Sequence, residues 1–130
     1  MSILADAKPI MFVLTRDRAK AKIFYGDVLG LPLVAEDDFA ATYDLGGVSM
    51  RLSTVENHSA SPHTVLGWSV PDIRAAGRAL KAQGAPFLIY EGFGQDADGV
   101  WTAPGGGVHV AWFHDPDGNV LSVTQTGPSA

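Results

Sequence analysis

One short pattern, repeated 54 residues apart, constrains the fold of this chain more than any other feature. Residues 30–33 read GLPL and residues 84–87 read GAPF, and each follows a segment whose apolar residues have helical spacing. Glycine supplies the left-handed conformation common at a helix end, and the proline two residues later cannot continue the helix. Each helical segment also begins with an aspartate suited to capping, Asp17 or Asp72. The chain is therefore expected to contain two helices in equivalent positions of two similar halves.

Strand patterns surround the two helices in the same order. The predicted strands of the first half are residues 10–14, 31–36, 41–45 and 48–53. Those of the second half are residues 65–70, 87–90, 108–113 and 119–124. Each half then reads β-α-β-β-β. Because a four-stranded sheet with one helix leaves its other face uncovered, we expect the two halves to pair.

This order predicts an α+β fold with one domain over residues 1–130. Its first module covers about residues 8–56 and its second about residues 63–126, with a linker at about 57–62. The sheets of the two modules are expected to form a concave, barrel-like groove of mixed strands with the helices outside. The glycine-rich stretch at 91–107 is expected to be a loop.

Composition excludes several classes of function. The chain is 46% hydrophobic and 18% charged, which is typical of a globular protein. No apolar run approaches the ~18 residues of a membrane span, and a net charge of −5 without a basic patch argues against nucleic acid. The absence of cysteine excludes disulfides and thiolate metal sites. We expect a soluble, cytoplasmic protein whose partner is a small molecule, neither nucleic acid nor membrane.

Local motifs add a family resemblance. The segment RDRAKAKIFYGDVLGLPLV, residues 16–34, resembles the helix motif of the vicinal oxygen chelate superfamily. VPDIRAAGRALKAQG (70–84) and the turn FHDPDGNVLSV (113–123) resemble its second half. That superfamily contains glyoxalases, extradiol dioxygenases, and fosfomycin and bleomycin resistance proteins. The resemblance covers nearly the whole chain and implies the paired-module fold, but this fold hosts many functions.

For metal-using members, the resemblance implies ligands on the first and last strands of each module. In this sequence those positions hold Ile10, Arg51 or Met50, Val65 and Ser122. A divalent ion needs about three or four donors such as histidine or a carboxylate, and an arginine repels it. We therefore predict that the protein uses no metal and no other cofactor.

The four histidines do not offer an obvious replacement. His58 and His63 flank the linker and are expected to face solvent, although His63 lies two residues before an implied ligand position and keeps that alternative open. His109 and His114 lie five apart on one predicted strand, so alternation sends them to opposite faces. The turn at 115–119 lacks the glycine and glutamate spacing of a calcium loop and is interpreted as structural.

Strand alternation predicts which side chains line the groove. Met50 and Leu52 are the apolar residues suited to face the helix, which leaves Arg51 on the opposite face. Applying the same rule to the other strands and adding exposed aromatic candidates gives the predicted ligand-binding set: Ile10, Phe12, Leu14, Tyr43, Arg51, Val65, Ser69, Trp101, Trp112, His114 and Ser122.

Several members of this set have a structural alternative. Tyr43 alternates with Leu45 and fits a core position as well as a site. Trp101 lies in the glycine-rich loop, where it either covers a ligand or closes the end of the barrel. Trp112 and His114 either flank a flat ligand or belong to core or interface. The sequence alone does not decide between these alternatives.

Arg51 is the most informative residue of the set. Among apolar walls, its forked guanidinium would bind a carboxylate or phosphate of a ligand. The alternative is an ordinary surface arginine on a strand. If Arg51 and Ser122 stand where metal-using relatives carry ligands, the groove has changed from anionic to neutral or cationic.

Two functions of different classes follow. The first is a metal-free binding protein, resembling the bleomycin resistance type, that sequesters an amphipathic or aromatic compound with an anionic group. The alternative is an enzyme, either a divergent glyoxalase-like lyase or isomerase or a metal-free catalyst using His114, Tyr43 or Arg51. By resemblance we also expect a homodimer, with the groove completed within one chain or across a swapped dimer.

Overall fold

Two four-stranded sheets organise the chain, one in each of two units. A computed structural model describes residues 3–127, and its contacts divide the chain into Met1–Ser59 and Ala60–Ala130, here called module 1 and module 2. No helix within the described residues combines the length and the apolar composition needed to cross a membrane.

Module 1 contains one broken helix and four strands. Its elements are β1 (Ile10–Thr15), α1 (Arg18–Lys22) with a following π-helical turn (Ile23–Val28), β2 (Leu33–Glu36), β3 (Ala40–Leu45) and β4 (Val48–Thr54). The strand order is β1-β4-β3-β2. β1 and β4 run parallel, and the other pairs are antiparallel.

Module 2 repeats this arrangement. Its elements are β5 (Thr64–Ser69), α2 (Ile73–Ala82), β6 (Trp101–Thr102), β7 (Val108–His114) and β8 (Val120–Thr126). The order is β5-β8-β7-β6, with β5 parallel to β8. The predicted α+β fold of two β-α-β-β-β modules is confirmed.

The ends of both helices follow the repeated sequence pattern. The Asp17 carboxylate accepts from the Lys20 backbone N–H at 3.2 Å, and the Asp72 carboxylate caps the first turn of α2 in the same way. Gly30 and Gly84 follow the helices with φ of +73° and +86°, which only glycine adopts without strain. The first helix differs from the prediction in one respect, since it widens into the π-helical turn.

In module 1, one face of the sheet packs on the helix. The Tyr25 ring lies 6.5 Å from the Tyr43 ring, and Tyr43 pairs with Met50 in the β3–β4 register. Tyr43, Met50 and Leu52 are all buried. Arg51, between the last two, lies on the opposite side of the sheet, here called the helix-free face.

Module 2 has the same two-sided design. The Ile73 backbone N–H at the start of α2 donates to the Gln125 side-chain carbonyl at 2.9 Å, so Gln125 faces the helix. Leu121 and Val123 share its parity and are buried. Ser122 lies between them and faces the helix-free side, as predicted.

The strand predicted at 87–90 is wrong. Among residues 3–127, the segment makes one sheet-like hydrogen bond, from the Leu88 N–H to the Trp112 carbonyl at 2.7 Å. The Gln95 side chain satisfies other backbone groups here, accepting from the Tyr90 N–H and donating to the Leu88 and Gly99 carbonyls. At 87–90 the Gln95 side chain therefore takes the place of a neighbouring strand. The next strand along the chain is β6, which lies within the stretch expected to be a loop.

Candidate functional site

Side chains of three strands meet on the helix-free face of module 2. In the β7–β8 register, Trp112 lies opposite Ser122 and His114 lies opposite Val120. On the other side of β8, Ser122 pairs with Gly67 of β5. Trp112, Ser122 and His114 therefore share one face, as the alternation of the sequence predicted.

Four aromatic rings gather at one end of this face. Trp101 of β6 lies opposite Val110, which shares the face of Trp112. The Phe93 ring stands 5.4 Å from the Trp112 ring, nearly perpendicular, and 6.4 Å from the Trp101 ring. The Tyr90 ring lies 6.1 Å from both Phe93 and Trp112. These residues, Tyr90, Phe93, Trp101 and Trp112, are here called the ring cluster.

The ring cluster is open to solvent. Phe93 is 49% exposed and Tyr90 39%, while Trp101 and Trp112 are half-buried. Edge-to-face pairs at these distances stabilise the rings relative to one another and leave ring faces free. The cluster is therefore ordered by its own contacts and still offers apolar surface.

Trp101 and Trp112 belong to the set predicted from the sequence, whereas Tyr90 and Phe93 do not. The sequence pattern predicts a strand at Tyr90, but its position depends on the Gln95 hydrogen bonds, which no local pattern reveals. Phe93 carried a usable signal, because it lies between Gly92 and Gly94 in the same glycine-rich stretch that drew attention to Trp101.

The Ser122 hydroxyl lies in the middle of this face. Ser122 is only 9% exposed, and within residues 3–127 its hydroxyl has no hydrogen-bond partner. Gly67, beside it, leaves space where any other residue would carry a Cβ. Among the described residues, His109 Nε2 is the one fully buried side-chain nitrogen or oxygen without a partner, so the Ser122 hydroxyl oxygen is still reached by solvent and can bond to a polar group of a ligand.

The remaining predicted residues of module 2 lie around this centre. His114 is exposed at the end of β7. Ser69, also exposed, pairs with Thr124 on the helix-free face. Val65 is 46% exposed and lies where the β5–β8 register shifts.

Module 1 has its own helix-free face, with apolar and polar rows side by side. Phe12 pairs with Arg51 in the parallel β1–β4 register, and Ile10 and Leu14 flank Phe12 with the same parity. Ile10 and Phe12 are 53% and 62% exposed. Arg51 also lies opposite Thr42 of β3. The predicted juxtaposition of Arg51 with apolar side chains is therefore present.

Arg51 already has a weak intramolecular partner. Its guanidinium lies 3.5 Å from a carboxylate oxygen of Asp37. Asp37 is held mainly by the backbone N–H groups of Phe39 and Ala40, at 2.8 and 2.9 Å. These two hydrogen bonds lower the pKa of Asp37 more than the charge of Arg51 does. Arg51 thus keeps donors for a further acceptor.

Tyr43 is placed differently from the rest of the predicted set. The structure puts it on the helix-facing side of β3, where its ring is buried against Tyr25, away from the face that carries Arg51. The core alternative describes the ring. A large aromatic side chain in register with Met50 fills the space beneath the helix.

The residues present do not fit a divalent metal. The positions that the resemblance gives to ligands carry no imidazole and no carboxylate: Ile10, Arg51 or Met50, Val65 and Ser122. Within residues 3–127 no three His, Asp or Glu side chains converge in a way that could hold an ion. On the helix-free face of module 2, the groups available for chemistry are therefore aromatic rings, hydroxyls and the His114 imidazole.

The two histidines of β7 lie on opposite faces, as predicted. His109 is buried on the helix side, and its Nδ1 is 2.9 Å from the Thr102 hydroxyl. His114 is exposed on the side of Trp112. His63 is exposed beside β5.

Solved structures with the same fold span nearly the whole chain. A protein from Bacillus anthracis assigned to the glyoxalase family superimposes with a TM-score of 0.74 at 15% identity, covering 97% of this chain and 99% of its own. Lactoylglutathione lyase from Agrobacterium tumefaciens gives 0.71 at 17% identity, covering 92% and 93%. The fosfomycin resistance protein FosX from Listeria monocytogenes gives 0.73 at 9% identity, covering 94% of each chain. At these identities the likeness concerns the fold.

The sequence comparison identifies the family. Among curated proteins none matches this chain. Residues 8–123 match the model of the Glyoxalase/Bleomycin resistance protein/Dioxygenase superfamily, which covers both modules from β1 to the end of the apolar run in β8. The chain therefore belongs to the glyoxalase/bleomycin resistance protein/dioxygenase superfamily.

Proposed function

We propose that this protein binds a small aromatic or amphipathic molecule without a metal, in the manner of the sequestering bleomycin resistance proteins. The observation that carries the proposal is the ring cluster beside the Ser122 hydroxyl. Ligand sites combine apolar and aromatic walls with a few polar groups that fix orientation. The helix-free face of module 2 has this composition.

Exposed rings supply much of the binding free energy for such a ligand. Phe93 and Tyr90 expose aromatic surface to water although they contact other rings. Covering such surface contributes roughly 25 cal/mol per Å², and a well-oriented aromatic pair adds about 0.5–1.5 kcal/mol. A flat ligand gains both terms on Trp112 and Phe93, and an accepting or donating group gains the hydrogen bond of Ser122.

Binding of an anionic group is a second part of the proposal, and it concerns the helix-free face of module 1. Its support is Arg51, whose guanidinium is partly exposed and paired with Asp37 only at 3.5 Å. A charge-assisted hydrogen bond to a planar carboxylate is the contact for which arginine is best suited.

An enzyme remains the alternative, and His114 is the observation that favours it. Its exposed imidazole lies on the side of Trp112, where it could donate or accept a proton. Imidazole is the usual general acid or base near neutral pH. A metal-free isomerase or lyase would use it directly.

A homodimer also belongs to this proposal. The side chains of Ile10 and Phe12 in β1 are apolar and exposed. An apolar surface of a second copy of the chain would cover them. Sedimentation velocity at micromolar concentration is expected to show a dimer, and substituting Phe12 with Asp is expected to weaken it. A monomer under all conditions contradicts this part alone.

The test uses 2-naphthoate as the probe, with tryptophan fluorescence and calorimetry on the purified protein. Trp112→Ala is expected to weaken binding at least tenfold, because it removes the central ring of the cluster. Phe39→Ala removes an exposed ring outside the cluster and is expected to leave affinity unchanged. Equal affinities for the wild type and Trp112→Ala contradict the proposal.

Two further arms separate binding from catalysis and from metal use. Mass spectrometry after incubation is expected to recover the probe unchanged, whereas a product that disappears in His114→Ala supports the enzyme. Treatment with a chelator is expected to leave the affinity unchanged. A chelator-sensitive affinity contradicts the metal-free site.

A further inference from the structure

The hydroxyl group of Tyr43 opens into a second hollow, away from the helix-free face. Tyr43 is only 1% exposed, yet within residues 3–127 its hydroxyl has no hydrogen-bond partner. The hydroxyl passes beside Gly26 in the π-helical turn, where a Cβ would lie 3.9 Å from it. Its end reaches a surface hollow of about 550 Å³ in module 1.

The walls of this hollow are apolar. Ile23 from the π-helical turn and Leu33 from the edge strand β2 stand at its mouth, 59% and 45% exposed. Leu31 lies between the turn and the strand, and its N–H donates to the Tyr25 carbonyl at 3.0 Å. π-helical turns occur often at functional sites. Here the turn contributes Ile23, Gly26 and Asp27 to the lining of one hollow.

Two charged side chains complete the rim, and only one of them is available. The Lys22 ammonium is engaged, with its Nζ 2.7 Å from Glu36 Oε1. Asp27 also lines the hollow, and among the described residues it has no hydrogen-bond or ion-pair partner. The free groups of the hollow are therefore one carboxylate and one neutral hydroxyl.

The ionisation state of Tyr43 agrees with its role as an acceptor. Burial raises the pKa of Tyr43, and the charges of Glu36 and Asp27 act in the same direction, against that of Lys22. The hydroxyl thus stays protonated near neutral pH, with its oxygen free to accept a hydrogen bond. An anionic ligand would have to compete with Glu36 for Lys22.

We propose that this hollow is a second binding site, distinct from the ring cluster, for a small molecule with an apolar body and a protonated amine. The apolar body packs between Ile23 and Leu33. The ammonium pairs with the Asp27 carboxylate and donates to the Tyr43 hydroxyl oxygen. The net charge of −5 favours the approach of a cation.

The experiment is a two-dimensional NMR titration with cyclohexylmethylamine, which lacks an aromatic ring and so does not probe the ring cluster by stacking. The amide signals of Gly26, Asp27 and Leu33 are expected to shift and saturate. The matched neutral compound, cyclohexylmethanol, and the matched anion, cyclohexanecarboxylate, are expected to bind at least about threefold more weakly, since they lack the charge contact.

Two substitutions assign the contacts. Asp27→Asn and Tyr43→Phe are each expected to weaken the amine about three- to tenfold. Tyr43→Phe keeps the buried ring, and the hydroxyl has no partner to lose, so its unfolding midpoint is expected to match the wild type. Phe39→Ala, which removes an exposed ring outside the lining of the hollow, is the control and is expected to bind the amine normally.

Several outcomes overturn this proposal. Equal affinities for the amine and the alcohol would show that the ammonium makes no charge contact with Asp27. Tighter binding of the anion would show that the hollow prefers the opposite charge. Unchanged affinity in both Asp27→Asn and Tyr43→Phe removes the site. Loss of 2-naphthoate binding in Trp112→Ala bears only on the ring cluster, so the two proposals succeed or fail separately.

Discussion

A Cβ atom built on Gly67 would lie 2.5 Å from the Ser122 hydroxyl oxygen, closer than real side chains approach. The two residues are partners in the parallel register of β5 and β8. The strand interior is an unfavourable place for glycine, which loses more conformational freedom on folding than other residues. The absence of a side chain at Gly67 therefore makes room for the hydroxyl in the helix-free face of module 2.

Gly67→Ala is expected to destabilise the protein, because the new methyl group meets Ser122 in a packed sheet. The expected loss in free energy of unfolding is about 1–3 kcal/mol, typical of overpacking. In Gly67→Ala/Ser122→Ala the nearest remaining atoms would lie at 3.4 and 3.8 Å, which are ordinary contacts. Urea denaturation of the wild type, Gly67→Ala, Ser122→Ala and the double variant measures the effect. A double variant as unstable as Gly67→Ala contradicts the assigned contact.

A second glycine gives a prediction of reversed sign. Alanine in a helix interior is usually more stable than glycine by about 1 kcal/mol. At Gly77 in α2, however, a Cβ would lie 2.6 Å from the Phe87 ring. We expect Gly77→Ala to lower the unfolding free energy of the wild type. In a Phe87→Ala background, the same substitution is expected to raise the unfolding free energy. Stabilisation by Gly77→Ala in the wild-type background contradicts this packing.

The sequence predicted the features that depend on local pattern. The repeated glycine–proline signal located both helix ends, and alternation in β4 and β8 correctly put Arg51 and Ser122 on the helix-free faces. Both features follow from the backbone geometry of one element at a time.

Features that depend on distant contacts were not predictable in this way. The segment 87–90 has the composition of a strand, but the Gln95 side chain takes its backbone hydrogen bonds. Tyr43 has the alternation of a strand residue, and only its contact with Tyr25 shows that it fills the core. The ring cluster needs Tyr90 and Phe93, which reach Trp112 through the path of the loop.

Asp37 gives a prediction of pH dependence. Backbone hydrogen bonds from Phe39 and then Ala40 hold its pKa below the ordinary value, with a smaller contribution from Arg51. A lowered folded-state pKa stabilises the fold above the unfolded value of about 3.9, and this stability is lost as the pH falls through the folded value. The stability difference between wild type and Asp37→Asn is therefore expected to vanish in acid.

An NMR titration of the Asp37 carboxyl measures this directly. Because the backbone N–H groups contribute more than Arg51, the pKa is expected to stay below its ordinary value in Arg51→Met. A return to the ordinary value in that variant would show that the ion pair, at 3.5 Å, is the main partner of Asp37. Arg51 would then be committed to Asp37 and less available to a ligand.

The availability of Arg51 decides the last prediction. If Arg51 binds an anionic group on the helix-free face of module 1, Arg51→Met should weaken 2-naphthoate binding at that face by about 1.5 kcal/mol, roughly tenfold, and spare 2-naphthamide. Asp37→Asn removes the competing carboxylate and should strengthen 2-naphthoate without affecting the amide. Calorimetry of the three proteins against both compounds measures these effects. Equal losses for acid and amide, or no loss for either, would show that Arg51 is an ordinary surface residue that does not contact the anionic group.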